Sequence, residues 1–232
     1  MEFPEDFNQL ELLDTHGHLI PRGGSSVWTG SKDDDTETDE GERSEEWYLE
    51  KEDALKDAPK ELLLWAAENN RLSTVLRLLT ADPVLVDCCD EDGYTPLHRA
   101  AYSGHVEVVS ALLAGGSRVN PRTIDGWTPL HSACRWSHVA VASLLLQNGA
   151  DLNAQTNGAL TPLHLAASYT NSSKTDSAQT LELLLSRRHL NPELRSNSGE
   201  TAAGMARCSG PHYFLFEMVE DCISVVPRGL PS

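Results

Sequence analysis

His131, Cys134 and His138 fall within eight residues of one another in DGWTPLHSACRWSH, residues 125–138. On a helix, a His-x-x-Cys pair lies on one face, where both side chains could reach a single zinc ion. A zinc site needs three or four converging ligands, however, and this stretch offers two such ligands on one face. A second candidate is the vicinal pair Cys88-Cys89, which could support thiol chemistry. The sequence has no Gly-x-x-x-x-Gly-Lys, no Gly-x-Gly-x-x-Gly after a strand, no Gly-x-Ser-x-Gly and no His-Glu-x-x-His. We therefore read the chain as non-catalytic, with no cofactor and no metal, and keep a thiol enzyme acting through Cys88 or Cys89 as a weaker rival.

The elements that carry these side chains explain them better. GYTPLHRAA at residues 93–101 recurs as GWTPLHSAC at 126–134 and as ALTPLHLAA at 159–167, with Thr95, Thr128 and Thr161 spaced 33 residues apart. Each unit continues into an apolar helix, through Val108, Val109, Leu112 and Leu113 or Val141, Ala142, Leu145 and Leu146. Each then closes at Gly-Ser or Gly-Ala before Val119-Asn120 or Leu152-Asn153. A fixed period of this length is the signature of a stacked repeat protein. Thr95 suits a helix N-cap and Pro96 the first helical position, where no N–H is needed. Leu97, Ala100 and Ala101 then share a face, the alanines allowing close helix approach, and Gly104 suits a left-handed helix stop. Asp90 to Gly93 and Asp125-Gly126 supply turn residues. One such unit cannot bury its own apolar face, so stability must come from stacking.

These units resemble ankyrin repeats. The resemblance implies an all-α solenoid of helix-turn-helix repeats with short β-hairpin fingers, in which the histidine after Thr-Pro-Leu links neighbouring turns. On that reading His98, His131 and His164 are structural, and Cys134 fills a small-residue position beside Ala101 and Ala167. His105 and His138 start the second helices. Worn copies flank the clear ones: LLLWAA with Leu78-Leu79 upstream, and Thr201-Ala202-Ala203-Gly204 with residues 213–219 downstream. The expected organisation is an acidic, largely disordered region at 1–59 and a repeat domain at 60–222. That domain divides into an N-cap repeat at 60–89, full repeats at 90–122, 123–155 and 156–195, and a C-cap repeat at 196–222, followed by a tail at 223–232. Ala167 to Leu184 is longer than Ala101 to Leu112, placing about six extra residues in a loop between the two helices of the fourth unit. Ala159 in place of Gly93 and Gly126, and Ser137 in place of Gly104, depart from the pattern.

The charge is uneven. Lys+Arg 18 against Asp+Glu 35 gives a formal charge of -17. Residues 1–59 hold 18 of the acids and 5 of the bases, so the repeat region is close to neutral. This balance disfavours direct nucleic-acid or anionic-membrane binding and favours basic partners. Five cysteines without Cys-x-x-Cys suit a reducing compartment. MEFPEDFNQL lacks a signal-peptide pattern, and no apolar run reaches membrane-spanning length, so an intracellular monomer is expected. Residues 31–57 are too poor in apolar side chains for a core. They read as a solubilising tail open to kinases at Ser31 and Thr36, as a chaperone-like arm for basic proteins, or as an activation segment around Trp47, Tyr48 and Leu49.

Partner recognition falls on positions the repeat leaves free. In the ankyrin fold the finger tips and the exposed face of the first helices line a concave groove. Here they carry Tyr94 and Trp127 before Thr-Pro, Tyr102, Trp136 and Tyr169 past the first helices, and the donors Arg99 and Arg135. Aromatic side chains bury large area at small entropic cost and are common interface anchors, although some could instead pack between fingers. Asn120, Asn153 and Asn191 end repeats, with Leu112, Leu145 and Leu183 eight residues before. That arrangement resembles sites of asparaginyl hydroxylation in ankyrin proteins. The resemblance extends through FNQLELLDTHGHLIP (7–21), the acidic run ending EEWY (45–48), LLLWAAENNRL (62–72) and residues 213–220. It implies a small adaptor in nuclear gene regulation, in the nucleus or also in the cytoplasm. Arg187-Arg188 is too small a cluster for a convincing import signal.

Overall fold

Each Thr-Pro-Leu-His segment starts a helix by closing a ring between its first and last residues. Thr95 is extended and caps the helix, with Pro96 at its first position. The Thr95 backbone N–H donates to His98 Nδ1 at 3.1 Å, while Thr95 Oγ1 accepts from the His98 N–H at 3.4 Å. The Thr128 and Thr161 N–H groups donate to the Nδ1 atoms of His131 and His164 at 3.1 and 3.2 Å. The histidine thus takes the place that Glu or Gln holds in the usual capping box.

The protein is described by a computed structural model over residues 44–168, 174–209 and 212–224. Helices α1 (Glu45–Ala54), α2 (Pro59–Glu68) and α3 (Leu72–Ala81) are followed by a 3-10 turn at Pro83–Asp87. The full repeats follow as pairs: α4 (Pro96–Ser103) with α5 (Val106–Ala114), α6 (Pro129–Arg135) with α7 (Val139–Gln147), and α8 (Pro162–Ser168) with α9 (Lys174–Leu185). Helices α10 (Ala202–Ser209) and α11 (Tyr213–Ser224) close the stack. Inner helices pack on inner helices from α2 through α4, α6 and α8 to α10, and outer helices α3, α5, α7 and α9 form the second layer. The core between layers holds Leu97, Leu112, Leu130, Leu145, Leu163 and Leu184, all at most 1% exposed. Ala100, Ala101, Ala133 and Cys134 are fully buried where the inner helices approach one another. No helix among the described residues is long and apolar enough to cross a membrane.

Three expectations are corrected. Among the described residues the fingers are tight turns, without strands; a single bridge, Arg195 to Thr201, is all the β structure present. Each finger closes after one pair of backbone bonds, Asp90 N–H to Tyr94 O and Gly93 N–H to Asp90 O in the first. The arms are too short to add rungs. Second, the longer fourth unit is not only loop. Helix α9 has 12 residues where α5 and α7 have nine, so part of the extra length is helix, and residues 169–173 lie outside the described residues.

Third, residues 44–59, expected to belong to a largely disordered region, are ordered: α1 folds against the first repeat. Ser44 Oγ accepts from the Trp47 N–H and caps it. Arg71 donates from both terminal nitrogens to Glu45, at 2.9 and 2.6 Å, and from Nε to Glu52 at 2.9 Å. Thr74 Oγ1 also donates to Glu52, at 2.8 Å. Tyr48 stacks under the Arg71 guanidinium, and Trp47 and Tyr48 both meet Trp65. The acids that made this stretch read as an arm therefore hold α1 in place. Residues 1–43, with Ser31 and Thr36, lie outside the described residues.

The departures from glycine keep the backbone they replace. Gly104 ends α4 at φ 78°, and a Cβ there would come within 2.6 Å of the His138 ring. Ser137 takes the same left-handed turn at φ 59°, and Ala159 at φ 57°. Between Ser168 and Leu184 the fourth unit has no histidine to pass over Ser137. The Ser137 hydroxyl is buried and without a hydrogen-bond partner. Left-handed geometry costs a non-glycine residue roughly 1–2 kcal/mol and a buried unmet hydroxyl about 1–3 kcal/mol. Against this, glycine loses about 0.4–1 kcal/mol through the unfolded chain. Ser137→Gly is expected to stabilise the protein by about 1–4 kcal/mol in urea unfolding; a lower midpoint would show that the serine is not strained. Leu130→Ala is expected to destabilise by about 2–5 kcal/mol in the same assay, since it empties a fully buried site.

Candidate functional surface

The side chains with chemical potential are consumed by the stack. With Nδ1 accepting a backbone N–H, each repeat histidine carries its proton on Nε2. Nε2 then donates to a carbonyl of the next finger: His98 to Trp127 O, His131 to Leu160 O and His164 to Glu200 O, each at 3.1 Å. His131 therefore has no free nitrogen for a metal. Among the described residues no group of three or more His, Cys, Asp or Glu could hold one. His105 and His138 reach back to the preceding repeat, to Glu68 O and Tyr102 O, both at 2.9 Å. Burial pushes the Cys88 thiol up to about 11 and raises that of fully buried Cys134, the opposite of what activates a nucleophile.

The asparagines at repeat ends also work as links. Asn120 Nδ2 donates to Gly149 O at 3.1 Å, and its Oδ1 accepts from the Asp151 N–H at 2.8 Å. Asn153 repeats this with His189 O at 2.7 Å and the Asn191 N–H at 2.8 Å. Each amide thus makes one donor and one acceptor bond across a repeat boundary.

What remains is a line of half-buried aromatic side chains along the fingers and inner helices. Tyr94 and Trp127 lie against the imidazoles of their own repeats, at 5.7 and 6.1 Å between ring centres. Tyr102 and Trp136, from adjacent repeats, meet edge to face at 5.1 Å. This geometry combines their area into one patch that bridges α4 and the end of α6. Arg135 stands beside Trp136 at the end of α6 and is half-buried. Arg99 is placed differently from the free donor the sequence suggests. Its terminal nitrogens bond Glu68 at 3.1 Å and Asp90 at 2.7 Å, and its guanidinium lies over Tyr94 at 5.5 Å. Arg99 thus fastens the first finger to the N-terminal repeat and holds Tyr94 in position. Tyr169 lies outside the described residues.

The finger tips carry further side chains that the sequence marks only as turn residues or leaves unmarked. Glu91, Asp92, Ile124 and Asp125 are exposed, Ile124 at 68%. Their backbones are fixed all the same, by Ile124 N–H to Asp92 O and Asn157 N–H to Asp125 O, both at 2.9 Å. The signal available was their place at the centre of each turn, where side chains must point away from the stack.

Stacked helix pairs, fingers joined through histidine and repeat-end asparagines bonded across the repeat boundary define a repeat scaffold. The description Ankyrin repeats (3 copies) matches residues 63–156, and Ankyrin repeats (many copies) matches residues 137–185. The chain belongs to the ankyrin repeat family. It is 58% identical over 228 residues to Ankyrin repeat domain-containing protein 49 of Bos taurus, covering 98% of this chain and 93% of the relative. The Homo sapiens protein of that name is also 58% identical, at 98% and 92% coverage, and that of Drosophila melanogaster is 43% identical over 220 residues, at 95% and 94%.

The histidine links make the stack sensitive to acid. Burial holds His98 and His131 down at about 4 and lowers His164, against 6.5 for an open histidine. The unfolded chain therefore binds more protons between these values. The stabilisation is present in full above about pH 6.5 and is lost as pH falls towards about 4. Complete protonation would cost about 3 kcal/mol at each of His98 and His131. The urea midpoint is expected to fall steadily from about pH 7 to about pH 4.5, above the range where most carboxylates titrate. A flat profile there would show that the imidazoles are not held neutral.

Proposed function

We propose that this chain is a non-catalytic adaptor that binds a partner protein across its fingers and inner helices, with Tyr102 and Trp136 as central anchors. The observation that carries this reading is the edge-to-face Tyr102–Trp136 pair, left half-exposed at the ends of adjacent inner helices. Trp127, Tyr94 and, by sequence, Tyr169 extend the patch, with the half-buried Arg135 beside it. The ankyrin family supports protein binding as the general activity. The acidic finger tips Glu91, Asp92 and Asp125 favour a partner with basic side chains.

A second reading is an acidic arm that itself captures basic proteins, in the manner of a chaperone or coactivator. It is favoured by the 18 acids of residues 1–59. Trp47 and Tyr48, which would anchor an activation segment, already pack on Trp65, so in this reading the effective part lies before α1. We place the adaptor in gene regulation in the nucleus, with the cytoplasm as a second compartment. A chain of 25.4 kDa can reach both by diffusion and be retained by what it binds. Hydroxylation of Asn120 or Asn153 would require the repeat to open first, because both side chains are engaged between repeats.

The two readings separate in one affinity purification from cells, comparing the full chain, a chain lacking residues 1–41, and Tyr102→Ala/Trp136→Ala. The principal partner is expected to be retained without the arm and reduced at least tenfold by the double substitution. The melting midpoint should drop by no more than about 5 °C. Loss with the arm and survival of the double substitution would make the arm the effector and remove Tyr102 and Trp136 from the site.

A further inference from the structure

Ser186-Arg187-Arg188-His189 follows the C-terminus of α9, where a cation is favoured by the helix dipole in any protein. The dipole does not account for how Arg187 is held. Its Nε is buried and without a hydrogen-bond partner. Among the described residues no carboxylate is within ion-pair distance of Arg187 or Arg188, in a chain with nearly twice as many acids as bases. A buried N–H of a charged group left unmet is costly and calls for a physical account.

The surroundings are shaped for an occupant. Arg187, Arg188 and His189 form one side of a cleft of about 530 Å³, facing Leu146, Asp151 and Leu152 of the preceding repeat. Its two sides are tied together by Asn153, through the bonds to His189 O and the Asn191 N–H, so the cleft does not depend on a ligand to form. Asp151 is the one acid of the lining. Its Oδ1 accepts from the Asn153 N–H at 2.9 Å, and two guanidinium groups against one carboxylate leave the lining a positive balance. A guanidinium presents parallel N–H donors that match the oxygens of a phosphate, and two of them suit a dianion better than a single carboxylate.

We propose that this cleft, between the third and fourth repeats, is a binding site for a phosphorylated serine or threonine side chain of a partner protein. The phosphate oxygens accept from the guanidinium groups of Arg187 and Arg188 that line the cleft, and the ester carbon lies against Leu146 and Leu152. The site is built from the ends of outer helices and stands apart from the aromatic line on the fingers and inner helices, so it does not rest on the adaptor reading.

The Nε–Hε signals of arginine in the proton–nitrogen NMR spectrum of the labelled full chain test it directly. The Arg187 signal is assigned by its absence in Arg187→Lys. Three probes are titrated: N-acetyl-phosphoserine amide, N-acetyl-aspartate amide and inorganic phosphate. The expected result is a saturable shift of that signal with the phosphoserine probe, at least tenfold weaker with the aspartate probe, and weaker with inorganic phosphate. Backbone signals around Leu152 and His189 should report a matching loss of affinity in Arg187→Lys and Arg188→Gln, with melting curves unchanged for Arg188→Gln. Equal binding of the aspartate probe, tighter binding of inorganic phosphate, or affinity that survives both substitutions would overturn the proposal. A non-saturating drift shared by wild type and Arg188→Gln would do the same.

Discussion

One neutral imidazole per repeat carries the architecture. It accepts from its own helix N-cap at Nδ1 and donates across the repeat boundary from Nε2, so a single side chain sets both the start of a helix and the spacing of its neighbour. The receiving carbonyls, Trp127 O, Leu160 O and Glu200 O, also accept the bond that closes their own finger, from Thr123, Thr156 and Ser196 respectively. Finger shape and repeat stacking are therefore one hydrogen-bond system. A charged imidazole cannot serve, because Nδ1 would become a donor facing another donor. Burial beside Leu97, Leu130 and Leu163 keeps the ring neutral, and the ring in turn satisfies backbone groups that burial would otherwise leave unmet.

At the N-terminal end this system has to stop, and charge replaces it. Helix α2 begins with Pro59 but has no side-chain cap and no repeat histidine. Glu68 takes over part of the work, its carbonyl receiving His105 and its carboxylate receiving Arg99. Arg71 then holds α1 through Glu45 and Glu52. The contact joins these ion pairs to the packing of Trp47 and Tyr48 on Trp65, while α1 has no fully buried residue and leaves Leu49 54% exposed. A stack that depends on nearest neighbours is most vulnerable where a neighbour is missing, and here an acidic helix fills that place.

How far the sequence can be read follows from the range of each interaction. Thr95, Pro96, Leu97, His98 and Gly104 act within a single turn or loop, so their letters show directly, and their repetition shows the stacking. The pairing of Arg71 with Glu45 spans 26 residues and has no period to reveal it. Composition alone makes Glu45 and Glu52 look like part of a solvated acidic run. Arg99 is misread for a related reason: an arginine on an exposed helix face looks available until Asp90 and Glu68 are found beside it. The surplus length of the fourth unit is visible in the sequence, but its division between α9 and the connection depends on how the extra turn packs. Of the aromatic positions, Tyr102 and Trp136 occupy different registers in their repeats, so a repeat alignment separates side chains that the stack brings to 5.1 Å.

The same economy decides where recognition can reside. Threonine, histidine and asparagine, the residue types most often recruited for chemistry, are bonded within the stack at the repeated positions. Changing them for a ligand would loosen the fold that presents it. Variation is free only at finger tips, at the ends of inner helices and in the turns after outer helices, because side chains there leave the hydrogen-bond system intact. The first two places hold the acidic tips and the Tyr102–Trp136 pair, and the third holds Arg187 and Arg188. A change at either surface leaves the geometry of the other unaltered, since each is fixed by contacts between adjacent repeats. A scaffold of this kind can hold two different partners at a set separation, raising the concentration of one near the other without any reaction of its own.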